Sequence, residues 1–205
     1  RPKFYSRTPA VAVMDADNGL GFVSGYRAMN EAIRRAAETG AGFVAVRNST
    51  HFGAGAYYAM MALEHDMIGL AMTNAVPIVV SPDSAVPVVG TNPLAVAVPA
   101  GRRPPFVLDM ATSAVAGGKV EIAVRSGITR IPEGWLVDGE GKPVTEVDVG
   151  NEREGDPLLD RREGIRRGLV RNRDAHDLAS RGVQSVYLGD GRLHVAGVGV
   201  GHRLH

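Results

Sequence analysis

Short apolar runs and helix-like segments alternate along the first 145 residues, with polar turns between them. This alternation is typical of an α/β fold, in which helices connect the strands of a sheet. The apolar runs predict strands at residues 11–14, 42–46, 69–73, 78–80, 86–89, 94–98 and 106–108. Helical spacing predicts helices at residues 26–39 and 57–66, the first of them capped by Gly40. A third helix is expected to start from Thr112 or Ser113 as its N-cap and to run toward Ser126.

The strand predicted at residues 42–46 leads into a polar loop that ends in His51, Phe52 and Gly53. Open α/β sheets usually place their chemistry at the carboxyl ends of strands. A histidine side chain titrates near neutral pH and can take up the proton of a hydroxyl group. It could equally cap the helix that follows, so spacing alone leaves both roles open.

Three other polar residues lie where a site could form. Arg47 could hold a substrate carboxylate with its planar guanidinium group, or it could pair with a buried acid. Asp109 ends a predicted strand, where an acid can bind the ribose or amide of a cofactor, or it could serve as a turn or cap residue. Lys119 could reach a phosphate, although a lone lysine on a helix is usually solvated.

Residues 19–25 follow a predicted strand and contain glycines at the spacing GxGxxxG. This spacing is one residue off the dinucleotide-binding fingerprint, and no acid follows the next strand at a suitable place. We therefore do not assign these glycines to a cofactor loop.

Composition excludes several classes of protein. The 205 residues carry 23 Lys and Arg against 22 Asp and Glu, a net charge of +1, which predicts neither a nucleic-acid nor a membrane partner. The absence of cysteine excludes disulfides, thiolate metal sites and a cysteine nucleophile, and it suits a cytoplasmic protein. The histidines have no metal-binding spacing, and we expect no metal site. We also find neither a signal peptide nor an apolar run long enough to span a bilayer.

The composition changes after about Thr145, where arginine, glycine and valine become dominant. We therefore predict a folded domain at residues 1–145 and a divergent Arg/Gly-rich segment at residues 146–205. That segment could be a basic interaction arm, a small subdomain or an altered and poorly ordered terminus. The last is favoured because such a composition buries little apolar surface.

Seven motifs resemble a known family. They are Asn48-Ser49-Thr50-His51-Phe52-Gly53, Ala59-Met60-Met61-Ala62, Met67-Ile68-Gly69, Thr73-Asn74 with Pro77, Gly90-Thr91-Asn92-Pro93, Leu108-Asp109-Met110-Ala111-Thr112-Ser113 with Gly118-Lys119, and Ile131-Pro132-Glu133-Gly134-Trp135. In this order, over roughly residues 9–145, they resemble the malate/L-lactate dehydrogenase family. That family also contains ureidoglycolate, sulfolactate and cyclic-imino-acid oxidoreductases.

The resemblance implies an oxidoreductase that uses NAD or NADP, with a mixed sheet that differs from the usual Rossmann arrangement. Residues 1–145 would then be the cofactor-binding domain. The family's acid/base would be His51, and its cofactor contacts would fall at Ala75, Asp109, Met110 and Ala111. The implied substrate is a small 2-hydroxy acid such as malate or L-lactate, together with its 2-oxo product. The implied assembly is a homodimer with active sites near the subunit interface.

The sequence also departs from the family pattern. Family members begin with a helical segment that carries a Ser-His-Gly motif and a substrate-binding arginine, and we expect this chain to start after it. Where the family has a Lys-Gly-Tyr-Gly segment, this chain has its Arg/Gly-rich segment, as a reading-frame change or gene fusion would leave. The family usually has a glycine directly before the tyrosines, where this chain has Ala54-Gly55-Ala56-Tyr57. It usually has a glycine pair where this chain has Asp83-Ser84. A second hypothesis is therefore a catalytically silent domain that binds a cofactor or dimerises.

Overall fold

The computed structural model describes residues 2–81, 84–147, 169–171 and 195–200. Within these residues the chain divides into two compact units. The first unit contains residues 2–75, 92–110 and 195–200, and the second contains residues 76–81, 84–91, 111–147 and 169–171. Each unit is organised around its own sheet.

The elements of the described residues follow one another along the chain. The strands are β1 (Lys3–Ser6), β2 (Val11–Gly19), β3 (Ala41–Ser49), β4 (Ile68–Thr73), β5 (Val79–Val80), β6 (Pro87–Val89), β7 (Leu94–Val98), β8 (Phe106–Met110), β9 (Leu136–Val137), β10 (Pro143–Val144), β11 (Leu169–Arg171) and β12 (Val195–Val200). The α-helices are α1 (Gly21–Thr39), α2 (Gly55–Met61) and α3 (Gly117–Arg125), and a short 3₁₀ helix (Ala62–His65) follows α2.

The first unit contains a mixed sheet with the strand order β1-β2-β3-β12-β4-β7-β8. Strands β2, β3, β12 and β4 run parallel to one another. Antiparallel neighbours complete the sheet at both sides: β1 pairs with β2, β7 with β4, and β8 with β7. The predicted α/β fold with a mixed sheet is confirmed.

Helices α1 and α2 pack against one face of this sheet through very small residues. A Cβ atom added to Gly42 of β3 would lie 1.9 Å from the backbone oxygen of Ala32 in α1. A Cβ atom added to Gly69 of β4 would lie 1.9 Å from the backbone oxygen of Ala59 in α2. Glycine at both positions therefore lets the helix backbone lie directly on the strand backbone.

The two faces of this sheet differ in exposure. Alternate residues of β2 and β3, such as Met14 and Val44, are buried in the core with the inward side of α1. The residues between them, including Val11, Val13 and Phe43, are exposed although they are apolar. This alternation is what a strand with one covered face produces.

The second unit contains the strand order β10-β9-β11-β5-β6 and the helix α3. Its core includes Val79, Val120, Ile131 and Leu136. Trp135 is partly buried against this core.

The structure corrects the predicted start of the third helix. The third helix begins at Gly117 after the N-cap Ala116, so the start predicted at Thr112 or Ser113 is wrong. The Ser113 side chain is fully buried, and its hydroxyl donates to the Val115 carbonyl oxygen at 2.7 Å instead of capping a helix. The C-terminal cap predicted at Gly40 is confirmed by its left-handed backbone, with φ of 84°.

Two stretches of the Arg/Gly-rich segment are strands in the structure. Residues 169–171 form β11, and residues 195–200 form β12, which pairs in parallel with both β3 and β4. The remainder of residues 148–205 lies outside the described residues. The boundary after residue 145 and the expected poor order of the segment therefore stay predictions.

Candidate active site

The sheet of the first unit collects most of the predicted site residues at one edge. In the strand register, Val46 pairs with Val200, which pairs with Thr73, so β3 and β4 end at the same edge. Met72 pairs with Leu94, which pairs with Met110, so β8 ends there as well. His51 follows β3, Ala75 follows β4, and Asp109 and Met110 close β8. Ala111 comes next in the chain and belongs to the second unit.

His51 is exposed in the loop between β3 and α2. Its Nδ1 atom accepts a hydrogen bond from the backbone N–H of Gly53 at 3.1 Å. Gly53 has a φ of +83°, a left-handed conformation that suits glycine. A neutral imidazole that accepts at Nδ1 carries its proton on Nε2, so this bond defines which nitrogen can donate.

The start of α1 supports the His51 loop from one side. The Gly21 backbone N–H donates to Thr50 Oγ1 at 3.0 Å, and the hydroxyls of Ser24 and Ser49 are 2.6 Å apart. A Cβ atom added to Gly21 would lie 2.3 Å from the His51 carbonyl oxygen. The glycine run that resembles a nucleotide fingerprint thus serves here as a close packing surface for the loop.

Tyr58 of α2 supports the loop from inside, a role that the sequence did not predict. Its side chain is 1% exposed, and its hydroxyl donates to the Phe52 carbonyl oxygen. The two rings stack with centroids 5.0 Å apart. Burial, and to a smaller extent the neighbouring Tyr57, raise the pKa of Tyr58, so its hydroxyl stays protonated near neutral pH.

Asp109 is held at the N-terminus of α2. Its Oδ2 atom accepts a hydrogen bond from the Ala56 backbone N–H at 2.8 Å, across 53 positions of sequence. Asp109 therefore caps a helix distant in sequence rather than the turn that follows it. Gly55 makes this approach possible, because a Cβ atom there would lie 2.9 Å from the Ala95 Cβ atom.

Ala75 is fixed by the loop that precedes β7. Its backbone N–H donates to Asn92 Oδ1 at 2.9 Å, and Asn92 has a φ of +33°. Because the N–H already has this partner, Ala75 can offer a ligand its carbonyl oxygen or its methyl group. The adjacent Met110 is half-buried at the end of β8.

Arg47 pairs with Asp15 of the neighbouring strand. The Asp15 Oδ2 atom accepts from Arg47 Nε at 3.1 Å and lies 3.0 Å from Nη2. The Arg47 guanidinium also lies 5.7 Å from the centre of the Tyr5 ring, and its side chain is 60% exposed. A hydrogen bond from the Asn48 side chain lowers the pKa of Asp15 most, and the backbone N–H of Asp17 and the charge of Arg47 lower it further.

An apolar cavity of about 480 Å³ lies beside the His51 loop. Phe22 and Tyr26 of α1 line it together with Tyr57 of α2 and Phe52 of the loop. Phe22, Tyr26 and Tyr57 are each exposed. The His51 loop thus contributes Phe52 to an aromatic surface that it shares with α1 and α2.

Two other kinds of feature are absent from the described residues. No group of three or more His, Asp or Glu side chains in residues 2–81, 84–147, 169–171 and 195–200 is arranged to hold a metal ion. In the same part of the chain, no helix has the length and apolarity needed to cross a membrane.

Comparison with known proteins agrees with the motifs. The family described as malate/L-lactate dehydrogenase matches residues 1–155. The malate dehydrogenase of Pyrococcus abyssi is 47% identical over 148 residues, which cover 72% of this chain and 40% of that protein. The L-sulfolactate dehydrogenase of Methanocaldococcus jannaschii is 45% identical over 144 residues, which cover 70% of this chain and 41% of that protein.

A solved structure shows the same likeness in three dimensions. The sulfolactate dehydrogenase from Methanocaldococcus jannaschii superimposes with a TM-score of 0.67 and 38% identity, covering 83% of this chain and 45% of that one. The chain thus spans less than half the length of each of these relatives. The family match over residues 1–155, together with these identities, shows that the chain belongs to the malate/L-lactate dehydrogenase family.

Proposed function

We propose that the protein is an NAD(P)-dependent oxidoreductase that interconverts a small 2-hydroxy acid, such as malate or L-lactate, and its 2-oxo acid. The observation that carries this proposal is the exposed imidazole of His51, held by Gly53 at the sheet edge where β3, β4 and β8 end. Family membership supplies the reaction class. The matched relatives are much longer than this chain, so the activity is our inference from the shared region.

The residues around Asp109 suit a nicotinamide cofactor. Asp109 is exposed, and Ala56 occupies only its Oδ2 atom, so Oδ1 can accept a hydrogen bond from a ribose hydroxyl or a carboxamide. We propose that Asp109, Met110 and Ala111, with Ala75 on the adjoining loop, hold the cofactor. When bound, NAD(P) supplies or accepts the hydride. Among the relatives, a (2R)-3-sulfolactate dehydrogenase is named for NADP(+) and a ureidoglycolate dehydrogenase for NAD(+), so both cofactors are candidates.

We propose that His51 exchanges the proton that accompanies hydride transfer. In the oxidative direction the neutral imidazole takes the proton of the 2-hydroxyl group and becomes an imidazolium, and in the reductive direction the imidazolium returns that proton to the oxygen of the 2-oxo acid. In the neutral ring the Gly53 N–H occupies the lone pair at Nδ1. This hydrogen bond must therefore open when His51 carries a proton on both nitrogens.

We propose that Arg47 holds the carboxylate of the substrate. Asp15 already engages its Nε and Nη2 atoms, so Nη1 is the remaining part of the fork that a carboxylate can use. This pairing orients the guanidinium in advance, which lowers the entropy lost on binding. It also weakens the net charge that Arg47 offers to an anion.

We propose a cytoplasmic homodimer with neither a nucleic-acid nor a membrane partner. The exposed apolar residues on the open sheet face, including Val11, Val13 and Phe43, support a partner that covers them. The aromatic surface beside the His51 loop supports the same assembly. The net charge of +1 supports the absence of an electrostatic polyanion partner.

Fluorescence titration of NADH and NADPH tests the proposal. The cofactor is titrated with the 205-residue chain, and then pyruvate, oxaloacetate or a cyclic imino acid is added. We expect binding followed by loss of the reduced-cofactor signal with one of these substrates. Binding without turnover would instead support the silent cofactor-binding domain, and no binding of either nucleotide would refute the proposal.

A further inference from the structure

A single peptide group, between Phe52 and Gly53, connects Tyr58 to His51. At one end the Tyr58 hydroxyl donates to the Phe52 carbonyl oxygen. At the other end the Gly53 N–H donates to His51 Nδ1 at 3.1 Å. The carbonyl and the N–H of a peptide group lie in one rigid plane. A partner that fixes the oxygen therefore also fixes the direction of the N–H.

The tyrosine that holds this peptide is itself immobilised. The Tyr58 side chain is buried, and its ring stacks on the Phe52 ring at an interplanar angle of 12°. The ring also lies against Gly25 of α1, where an added Cβ atom would be 2.8 Å from Tyr58 Cε1. The hydroxyl therefore has one well-defined position from which to hold the loop.

We propose that Tyr58 is a positioning residue, which fixes the orientation and the tautomer of the His51 imidazole through the Phe52–Gly53 peptide. A carbonyl that accepts a hydrogen bond polarises its peptide, and this strengthens the N–H as a donor. The strengthened donor keeps the lone pair of the neutral imidazole at Nδ1 and its proton at Nε2. Without the Tyr58 hydroxyl, the peptide can rotate and both tautomers become populated.

Nitrogen NMR of the histidine side chains in the 205-residue chain tests this inference directly. Spectra are recorded at about pH 8, where an ordinary imidazole is neutral, and His51 is assigned by its absence in His51→Gln. In the wild-type chain we expect a pyridine-type signal for Nδ1 and a pyrrole-type signal for Nε2. In Tyr58→Phe, which keeps the ring, the two signals should move toward each other.

Tyr57→Phe is the matched control, because it removes a hydroxyl from the adjacent residue, whose side chain is exposed. Its His51 signals should equal those of the wild-type chain. A Tyr58→Phe spectrum equal to wild type would overturn the inference, and so would a wild-type chain with its proton on Nδ1. If Tyr58→Phe does not fold, Gly25→Ala replaces it, because its new Cβ atom pushes on the Tyr58 ring. The two His51 signals should then move toward each other in Gly25→Ala. Unchanged signals in that variant would count against the inference.

Kinetics give a second readout, which rests on the proposed function. We expect Tyr58→Phe to change kcat and to leave the KM for the cofactor unchanged, because the peptide that must release Nδ1 during proton exchange is then no longer held. An unchanged kcat would count against the positioning role. Tyr57→Phe should leave both constants unchanged. Absence of turnover in every variant would contradict the proposed function alone, since the NMR result decides the role of Tyr58 without any substrate.

Discussion

The packing of α2 on β4 can be tested with a single methyl group. In Gly69→Ala the new Cβ atom would lie 1.9 Å from the Ala59 carbonyl oxygen, 2.7 Å from its carbonyl carbon and 2.9 Å from its Cα atom. All three atoms belong to the backbone of a fully buried residue, so no side-chain rotation can relieve the clash. To reach ordinary contact at 3.4 Å, α2 must move away from β4 by about 1.5 Å.

The expected change in the free energy of unfolding of Gly69→Ala follows from two opposing effects. Overpacking of this kind destabilises a protein by about 1–3 kcal/mol, and a backbone clash belongs at the upper end of that range. Replacing glycine within a strand recovers about 0.5–1 kcal/mol, because alanine loses less conformational entropy on folding. The free energy of unfolding should therefore fall by about 2 kcal/mol in Gly69→Ala.

Urea denaturation followed by far-ultraviolet circular dichroism measures this difference. Gly118→Ala in α3 is the matched control, because an added Cβ atom there meets nothing within 4 Å. The control should be as stable as the wild-type chain or slightly more stable. If Gly69→Ala unfolds within about 0.5 kcal/mol of wild type, α2 does not lie on β4 as closely as described.

Three further predictions concern the polar edge of the sheet. Asp109→Ala should lower the stability of the chain by about 1 kcal/mol, because Ala56 loses its helix-capping partner, whereas Asp109→Asn should keep most of it in thermal denaturation. The pKa of Asp15 is lowered below 3.8 in the folded chain, so its contribution is present above that pH and is lost as the pH falls below it. The melting temperature should accordingly drop as the pH falls below about 4, and this drop should be smaller in Asp15→Asn. Arg47→Ala should raise the KM for the 2-oxo acid about tenfold and leave cofactor affinity unchanged. An equal loss of cofactor affinity would show that Arg47 only stabilises the loop.

The local pattern of apolar residues was sufficient to predict secondary-structure elements whose boundaries are marked in the sequence. The strand predicted at residues 94–98 is β7 without change, since Pro93 and the residues after Val98 bound one apolar run. The first helix was predicted to begin at Tyr26 but begins at Gly21, because glycine carries no periodic apolar signal. The end of that helix at Gly40 was correct, since a left-handed cap is a local property of the backbone.

Contacts between distant residues could not be predicted in this way. The bond from Ala56 to Asp109 joins residues 53 positions apart, and neither residue type requires it. The position of β12 between β3 and β4 depends on long-range pairing, whereas its glycine and valine composition alone favoured poor order. His51 could be identified because its motif is local, but the support that Tyr58 gives it depends on how α2 packs.

The central claim is that His51 exchanges a proton with the substrate while other residues bind the cofactor. The most direct measurement compares wild type and His51→Asn for NADH or NADPH affinity by fluorescence and for consumption of the reduced cofactor with the accepted 2-oxo acid. We predict that His51→Asn binds the cofactor as wild type does and that its turnover falls by at least about a hundredfold, the usual contribution of a general acid or base. Turnover close to the wild-type rate in this variant would contradict the account.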